Sequence, residues 1–359
     1  PPVCLIRITD AMTAAALNVP MTRDANRAMA TWLLACCTLV VAMIVVGGIT
    51  RLTHSGLSIV EWQPLLGAIP PLSEADWIAL FEKYKLTPEY QKVNAGMPLE
   101  GFKSIFWWEY IHRLLGRGIG MAFLLPYLWF LARRAVHGTL AWKLAGIFVL
   151  GGLQGAMGWY MVKSGLVDDP RVSHFRLTAH LGLAFLILAA MLWVAMDLLA
   201  PRAAAPDPSL RGRRVLAWHV VGFVALMVLT GGLVAGLRAG HAYNTFPLMN
   251  GHIIPPEILM IDPWPLNFFN NMATVQFDHR LIAWLLAILV PWLAWRVRRA
   301  DAPPHARTAA AIWVALLAVQ IALGIATLLL VVPVPLAVTH QAGAVLVFAA
   351  ALTTTHALR

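Results

Sequence analysis

The sequence predicts an all-α membrane protein of eight transmembrane helices, arranged as two pseudo-symmetric four-helix bundles. Three observations carry this: an apolar balance no globular surface could cover, eight apolar runs of spanning length, and motifs that return in order along the chain. Of the 359 residues, 60% are hydrophobic and 12% charged, where a soluble domain carries about 25% charge. A span needs about 20 largely apolar residues. Such runs lie at 29–49, 107–131, 142–162, 177–199, 215–235, 275–295, 309–331 and 338–358. Each must be a helix, because a helix satisfies its own backbone inside hydrocarbon.

Before the first span, residues 1–28 read as a cytoplasmic segment without a signal-peptide layout, with Met12 and Met21 as alternative starts. The long connection 50–106 contains Pro64, Pro70, Pro71, Pro88 and Pro98 with Trp62, Trp77, Phe81, Tyr84 and Tyr90, and reads as a cap on the outer face. Within it, 73–84 reads as a short amphipathic helix, N-capped by Ser73 with Asp76 at the third position. A second, shorter outer connection, 236–274, has a similar Pro and aromatic content.

The halves repeat. Gly47-Gly48 ends span one and Gly231-Gly232 ends span five. Glu109-Tyr110-Ile111-His112-Arg113 opens span two, and Gln276-Phe277-Asp278-His279-Arg280 opens span six. Gln154 in span three matches Gln320 in span seven, and Thr178-Ala179-His180 in span four matches Thr339-His340 in span eight. The domains read as 29–200 and 215–359, joined by a cytoplasmic linker 201–214. Four spans per half give both halves one orientation.

A net charge of +10 raises the question of nucleic acid. With the N-terminus inside, the inner segments hold 15 basic and five acidic residues, and the outer segments hold 12 of each. The excess is a topology signal; no nucleic-acid partner is expected, and lipid is. Both termini are expected in the cytoplasm. Cys4, Cys36 and Cys37 leave no cysteine in any outer loop, so no structural disulfide is expected there.

Twelve histidines are present, and eight lie in loops or near span ends, where solvated side chains are ordinary. His112, His180, His279 and His340 lie inside spans, one per span, one or two turns from the outer face. An ionisable residue at such a depth is costly and marks function. Two imidazoles per half, on different helices, is the number for axial ligation of a haem from both faces. Four residues on, Gly116, Ala184, Ala283 and Ala344 share the histidines' faces and are small, as a porphyrin plane beside a helix requires. Arg113 and Arg280, with Arg117 and Arg176 nearby, are placed to pair with haem propionates.

The halves differ three residues before the first histidine. Glu109 can ionise and Gln276 cannot. The Glu109 half therefore has a group able to move protons or stabilise positive charge, or simply to pair with Arg113 one turn on. The other half reads as an electron-transfer centre.

These residues resemble the haem A synthase family over nearly the whole of 29–358. The resemblance rests on Gly47-Gly48-Ile49-Thr50-Arg51-Leu52-Thr53, Ser55-Gly56-Leu57-Ser58, Pro88-Glu89-Tyr90, Glu109 to Arg113, Gln154-Gly155, His180-Leu181-Gly182, Asp278-His279-Arg280 and Thr339-His340-Gln341. The resemblance implies that haem O is the substrate, its ring methyl oxidised through a hydroxymethyl stage to the formyl of haem A for cytochrome oxidase. It implies that His279 and His340 hold the iron of a cofactor haem b, that His112 and His180 hold the substrate haem, and that Glu109 is catalytic. No cysteine pair stands in 50–106, so the chain is similar to the alphaproteobacterial and mitochondrial branch. Without an Arg/Ser-rich transit segment, a bacterial inner membrane is the expected location. The electron acceptor is left open, with a quinone as candidate; a haem O synthase and further copies of the chain are candidate partners. Two other readings use the same histidines: a quinol-linked cytochrome with two permanent haems, and a haem transporter without enzymatic activity.

Overall fold

A computed structural model describes residues 23–63, 66–167, 170, 172–200 and 207–359. The N-terminal segment as far as residue 22, with Cys4 and both alternative starts, lies outside the described residues, as do Pro64 and 201–206 of the linker. Eight long helices form: α1 Arg23–Leu52, α4 Leu99–Ala132, α5 Gly138–Gly165, α6 His174–Leu199, α7 Arg211–Gly236, α9 Met272–Arg298, α10 Pro304–Leu329 and α11 Val334–Ala357. Three short ones, α2 Glu74–Lys85, α3 Pro88–Lys92 and α8 Asn267–Asn270, lie in the two long connections. Among the described residues no β-strand forms beyond one bridge between Met249 and His252.

All eight long helices are long and apolar enough to cross a membrane, and no more than 39% of any span's apolar window is buried inside the protein. The remaining apolar surface, with Leu125, Val149, Ile288 and Val319 exposed, has lipid as its solvent. The chain is a multi-pass membrane protein. Every span begins ahead of its apolar run because its polar first turns still complete the helix, whereas α10 and α11 end at Leu329 and Ala357, just short of theirs. The largest difference is at α4, which begins at Leu99 rather than near 107. His112 therefore lies about three and a half turns into its helix, deeper along it than the sequence pattern implied. The added turns form because Phe102, Ile105 and Phe106 are buried beneath the outer cap with Phe81 and Tyr84.

Ser73 caps α2 as expected: its side chain accepts from Asp76 N, and Asp76 accepts in return from Ser73 N at 3.0 Å. Thr87 caps α3 in the same way, accepting from Tyr90 N at 3.2 Å. The chain leaves α1 and α7 through left-handed residues at matching distances, His54 with φ 55° and Arg238 with φ 55°.

Helix α1 packs on α4 and α6, and α5 packs on α6 and α4. Likewise α7 packs on α9 and α11, and α10 packs on α11 and α9. The two groups meet through α6 with α7, α1 with α11, and α6 with α11. Polar contacts lock this seam at several depths. Gln341 donates to Ile44 O at 2.7 Å, and Thr178 lies against Gly232. His174 meets Asn270 at 2.9 Å, and Arg51 donates to Ala235 O. At the other end Asp197 accepts from His356 at 3.0 Å and also from Arg359.

Candidate functional site

The two histidine-bearing helices of each group are held apart. Within its group each packs on the other two helices rather than on its fellow: α4 and α6 on α1 and α5, and α9 and α11 on α7 and α10. His112 on α4 and His180 on α6 are close enough to interact electrostatically, as are His279 on α9 and His340 on α11. All four rings keep part of their surface accessible.

Each ring rests on a glycine of a neighbouring helix. A Cβ at Gly47 would stand 3.1 Å from His112 Nε2, one at Gly158 3.2 Å from His180 Cε1, and one at Gly231 3.2 Å from His279 Cε1. At Gly324 it would stand 2.9 Å from His340 Cε1, closer than real side chains approach. Four histidine-bearing helices thus lie against four seating helices, α1, α5, α7 and α10. Gly47 and Gly231 belong to the paired glycines noted above. Gly158 and Gly324 escaped sequence reasoning, although a signal existed: each stands four residues after a matched glutamine, Gln154 and Gln320. Replacing Gly324 with Ala pushes the His340 ring aside. Haem retained per protein is expected to fall about 10-fold, the lower end of the range for disturbing a ligand's support. Pigment titration of the purified variant checks this.

The pairs differ in their second contacts. Thr230 Oγ1 lies 3.0 Å from His279 Nδ1, so the hydroxyl can accept from Nδ1–H and leave Nε2 with its lone pair for a metal. Gln320 Nε2 lies 3.1 Å from His340 Nδ1 and donates to the His340 carbonyl at 2.8 Å. In the other pair Val46 stands where Thr230 would, and offers no such contact. Gln154 Nε2 instead lies 3.2 Å from His180 Nε2, while His180 Nδ1 is buried without a partner among the described residues. Gln154 Oε1 and Gln320 Oε1 are likewise buried and unpartnered.

These observations fit a haem between each pair: imidazoles within electrostatic range on helices that do not pack chiefly on each other, rings on glycine seats, and orphaned polar atoms around them. Among the described residues no group of three or more His, Cys, Asp or Glu gathers as a metal-ion site, and axial haem ligation needs only two. The space at Gly116 is taken by Met43, whose Cε would stand 3.2 Å from a Cβ there. Ala184 is buried in the core. The gap expected from those two residues is thus filled by protein.

Glu109 is 2% exposed and every lone-pair direction is used. Its Oε2 accepts from Ser58 Oγ at 2.7 Å and Ile59 N at 2.8 Å. Its Oε1 accepts from Arg113 Nη2 at 2.6 Å and Nε at 3.1 Å. Arg113 also donates to Ile59 O at 2.9 Å and Glu61 O at 3.2 Å. The pair clamps the start of the outer cap onto α4. Gln276 and Arg280 make a corresponding clamp without the charge. Gln276 donates to Ala239 O at 2.9 Å and accepts from Arg280 at 3.3 Å. Arg280 donates to Tyr243 O at 2.9 Å and Thr245 O at 3.0 Å. Both arginines, expected beside propionates, are spent largely on loop carbonyls. Sequence reasoning missed this because the partners lie 35 to 54 residues away.

One more carboxyl lies in this region. Glu89, on α3, is 4% exposed. Burial first, and then the negative charge of Glu109, push it up to about 8. Burial also pushes the neighbouring Tyr84 phenol up to about 12, against a hydrogen bond from Asn94.

A family model described as "Cytochrome oxidase assembly protein" (COX15-CtaA) matches residues 30–352. The chain is 63% identical to a heme A synthase of Nitrosospira multiformis, over 93% of this chain and 94% of that protein. It is 56% identical to a heme A synthase of Nitrosomonas eutropha, over 90% and 92%. It is 50% identical to one of Rhodospirillum centenum, over 93% and 89%. Two groups of helices, each carrying a seated pair of imidazoles, and likeness along nearly the whole chain lead to one conclusion: the chain belongs to the COX15-CtaA family of cytochrome oxidase assembly proteins, the haem A synthases.

Proposed function

We propose that the chain is an oxidoreductase that converts haem O to haem A for cytochrome oxidase. The observation that carries this is the pair of unlike imidazole sites, supported by the relatives' names. In this reading 215–359 is the cofactor half, where His279 and His340 hold the iron of haem b, and 29–200 is the substrate half. Thr230 supports His279 by accepting from Nδ1–H, and Gln320 steadies the backbone of His340 through its carbonyl. His112 has no such support from Val46, and His180 meets Gln154 through the nitrogen a metal would use. That suits a site whose occupant must come and go. Haem b, when bound, supplies one-electron redox chemistry.

The methyl group becomes hydroxymethyl with oxygen from one water, and then formyl; each stage gives up two electrons and two protons. A quinone is the candidate acceptor of the electrons. Glu109 lies one turn before His112 on the same face. Four hydrogen bonds hold it as a fixed anion beside the substrate site, where it stabilises positive charge developing at the reacting carbon. Arg113 and Arg280 hold the loops over the two sites. The excess of basic residues on one side supports cytoplasmic termini and sites toward the outer face.

Replacing Glu109 with Gln tests the scheme. Haem b and haem O remain bound, and formation of haem A falls about 100-fold or more, read by chromatography of extracted pigment. Full turnover by this variant removes the carboxylate from the reaction. Haem b as the sole pigment of the active-site-intact protein, even when supplied with haem O, points instead to a cytochrome.

A further inference from the structure

We propose that Glu89 is the proton-exchange group of the substrate half, taking protons released beside Glu109 and passing them to water at the outer face. The proposal rests on the haem A synthase reading, because that reaction gives up four protons per turnover and they need a way out.

Among the described residues Glu89 and Glu109 are the two buried acids, and both belong to the outer cap and its junction with α4. Their situations are opposite. Glu109 accepts four hydrogen bonds, two of them from a guanidinium. Glu89 Oε2 is buried with no hydrogen-bond partner. Arg113 is already committed to Glu109 and to loop carbonyls, and Lys92, one turn on along α3, is exposed. A buried carboxyl left unpaired is costly as an anion, so the neutral acid is its resting form and ionisation is within reach. A group of this kind is tuned for proton exchange near the operating pH.

The groups that act on it are Glu109, paired with Arg113 on α4, and Tyr84 on α2; Tyr90 adjoins Tyr84, and Lys92 stands one turn on along α3. Tyr84 Oη receives a hydrogen bond from Asn94 Nδ2 at 2.7 Å, and its proton is too tightly held to be exchanged near neutrality. Glu89 is left as the group that can cycle. Gln91, Lys92 and Val93, next along α3, are exposed, so water lies within a helical turn. When ionised, Glu89 accepts a proton at Oε2. When neutral, it gives that proton to water and regains its charge; no electron moves in either step. It acts on the site from a distance and touches neither imidazole pair in any recorded contact, so its role is that of a relay.

Infrared titration of the purified holoenzyme tests this. The wild type shows a protonated-carboxyl band that titrates near pH 8. The band is missing from Glu89→Gln, and in Glu109→Gln it titrates at lower pH because the repelling charge has gone. Glu89→Gln keeps its haem b spectrum, which reports an intact fold. It makes haem A about 10-fold more slowly, less than the ~10²–10⁴ of a direct general base because water substitutes in part. Its rate no longer changes across the pH range in which the band titrates. A band that survives Glu89→Gln, or a pH–rate profile equal to the wild type's, overturns the relay. Failure of the wild type to make haem A sinks the synthase reading instead and leaves the infrared titration standing.

Discussion

Replacing His279 or His340 with Ala is expected to abolish the low-spin haem b spectrum of the purified protein, whereas His112→Ala and His180→Ala leave it in place. A low-spin bis-imidazole iron needs both axial nitrogens. Each C-terminal histidine is fixed by a glycine seat and by a second side chain, Gly231 with Thr230 for His279 and Gly324 with Gln320 for His340. If these rings hold the iron as proposed, removing one would take a metal bond away outright, a larger loss than the ~10–100-fold that follows from disturbing a ligand's support. The spectrum should therefore vanish rather than weaken. The His112 and His180 variants act as the internal control, since they remove equally buried rings from the other site. They should fail to retain haem O while keeping haem b. A normal haem b spectrum in both His279→Ala and His340→Ala would place the cofactor elsewhere.

Replacing Arg113 with Ala should destabilise the protein far more than the corresponding change at Arg280. Arg113 neutralises Glu109, a carboxylate whose side chain is 3% exposed, and is itself 13% exposed. Removing one partner of a buried ion pair strands the other, at a cost of about 3–5 kcal/mol. Arg280 instead bonds the neutral Gln276. Its loss leaves the half-buried Tyr243 carbonyl without its donor, worth about 1–3 kcal/mol, while water can reach the exposed Thr245. The double change Arg113→Ala, Glu109→Gln removes the stranded charge and should recover part of the loss. Thermal retention of folded protein in detergent, with proteolysis of the outer cap as a second readout, compares the three. Equal damage from the Arg113 and Arg280 changes would mean that the Glu109 charge contributes nothing to the clamp.

What could be read from the sequence was what depends on local pattern. Eight apolar runs gave eight spans, because lipid enforces a helix wherever a run is long enough. Ser73 with Asp76 announced α2, because a capping box is a contact three residues long. The four histidines stood out because an imidazole inside an apolar run has few uses. The features that escaped depend on distant partners. Residues 99–106 are ambiguous alone and become helix because the cap covers Phe102 and Phe106. Glu89 is one acid in a polar loop until the fold buries it. Arg113 and Arg280 looked free to meet an anion because carbonyls do not appear in a sequence as partners.

The division of labour between ligand helices and seating helices makes the protein vulnerable where no chemistry resides. Successive residues of an α-helix are about 100° apart around its axis. Inserting one residue in α5 ahead of Gly158, or in α10 ahead of Gly324, would swing that glycine to another bearing and bring a bulkier neighbour round toward His180 or His340. The imidazole, its own helix and its sequence motif would all remain intact. A one-residue slip in a helix that carries none of the four histidines would be enough to displace the ring.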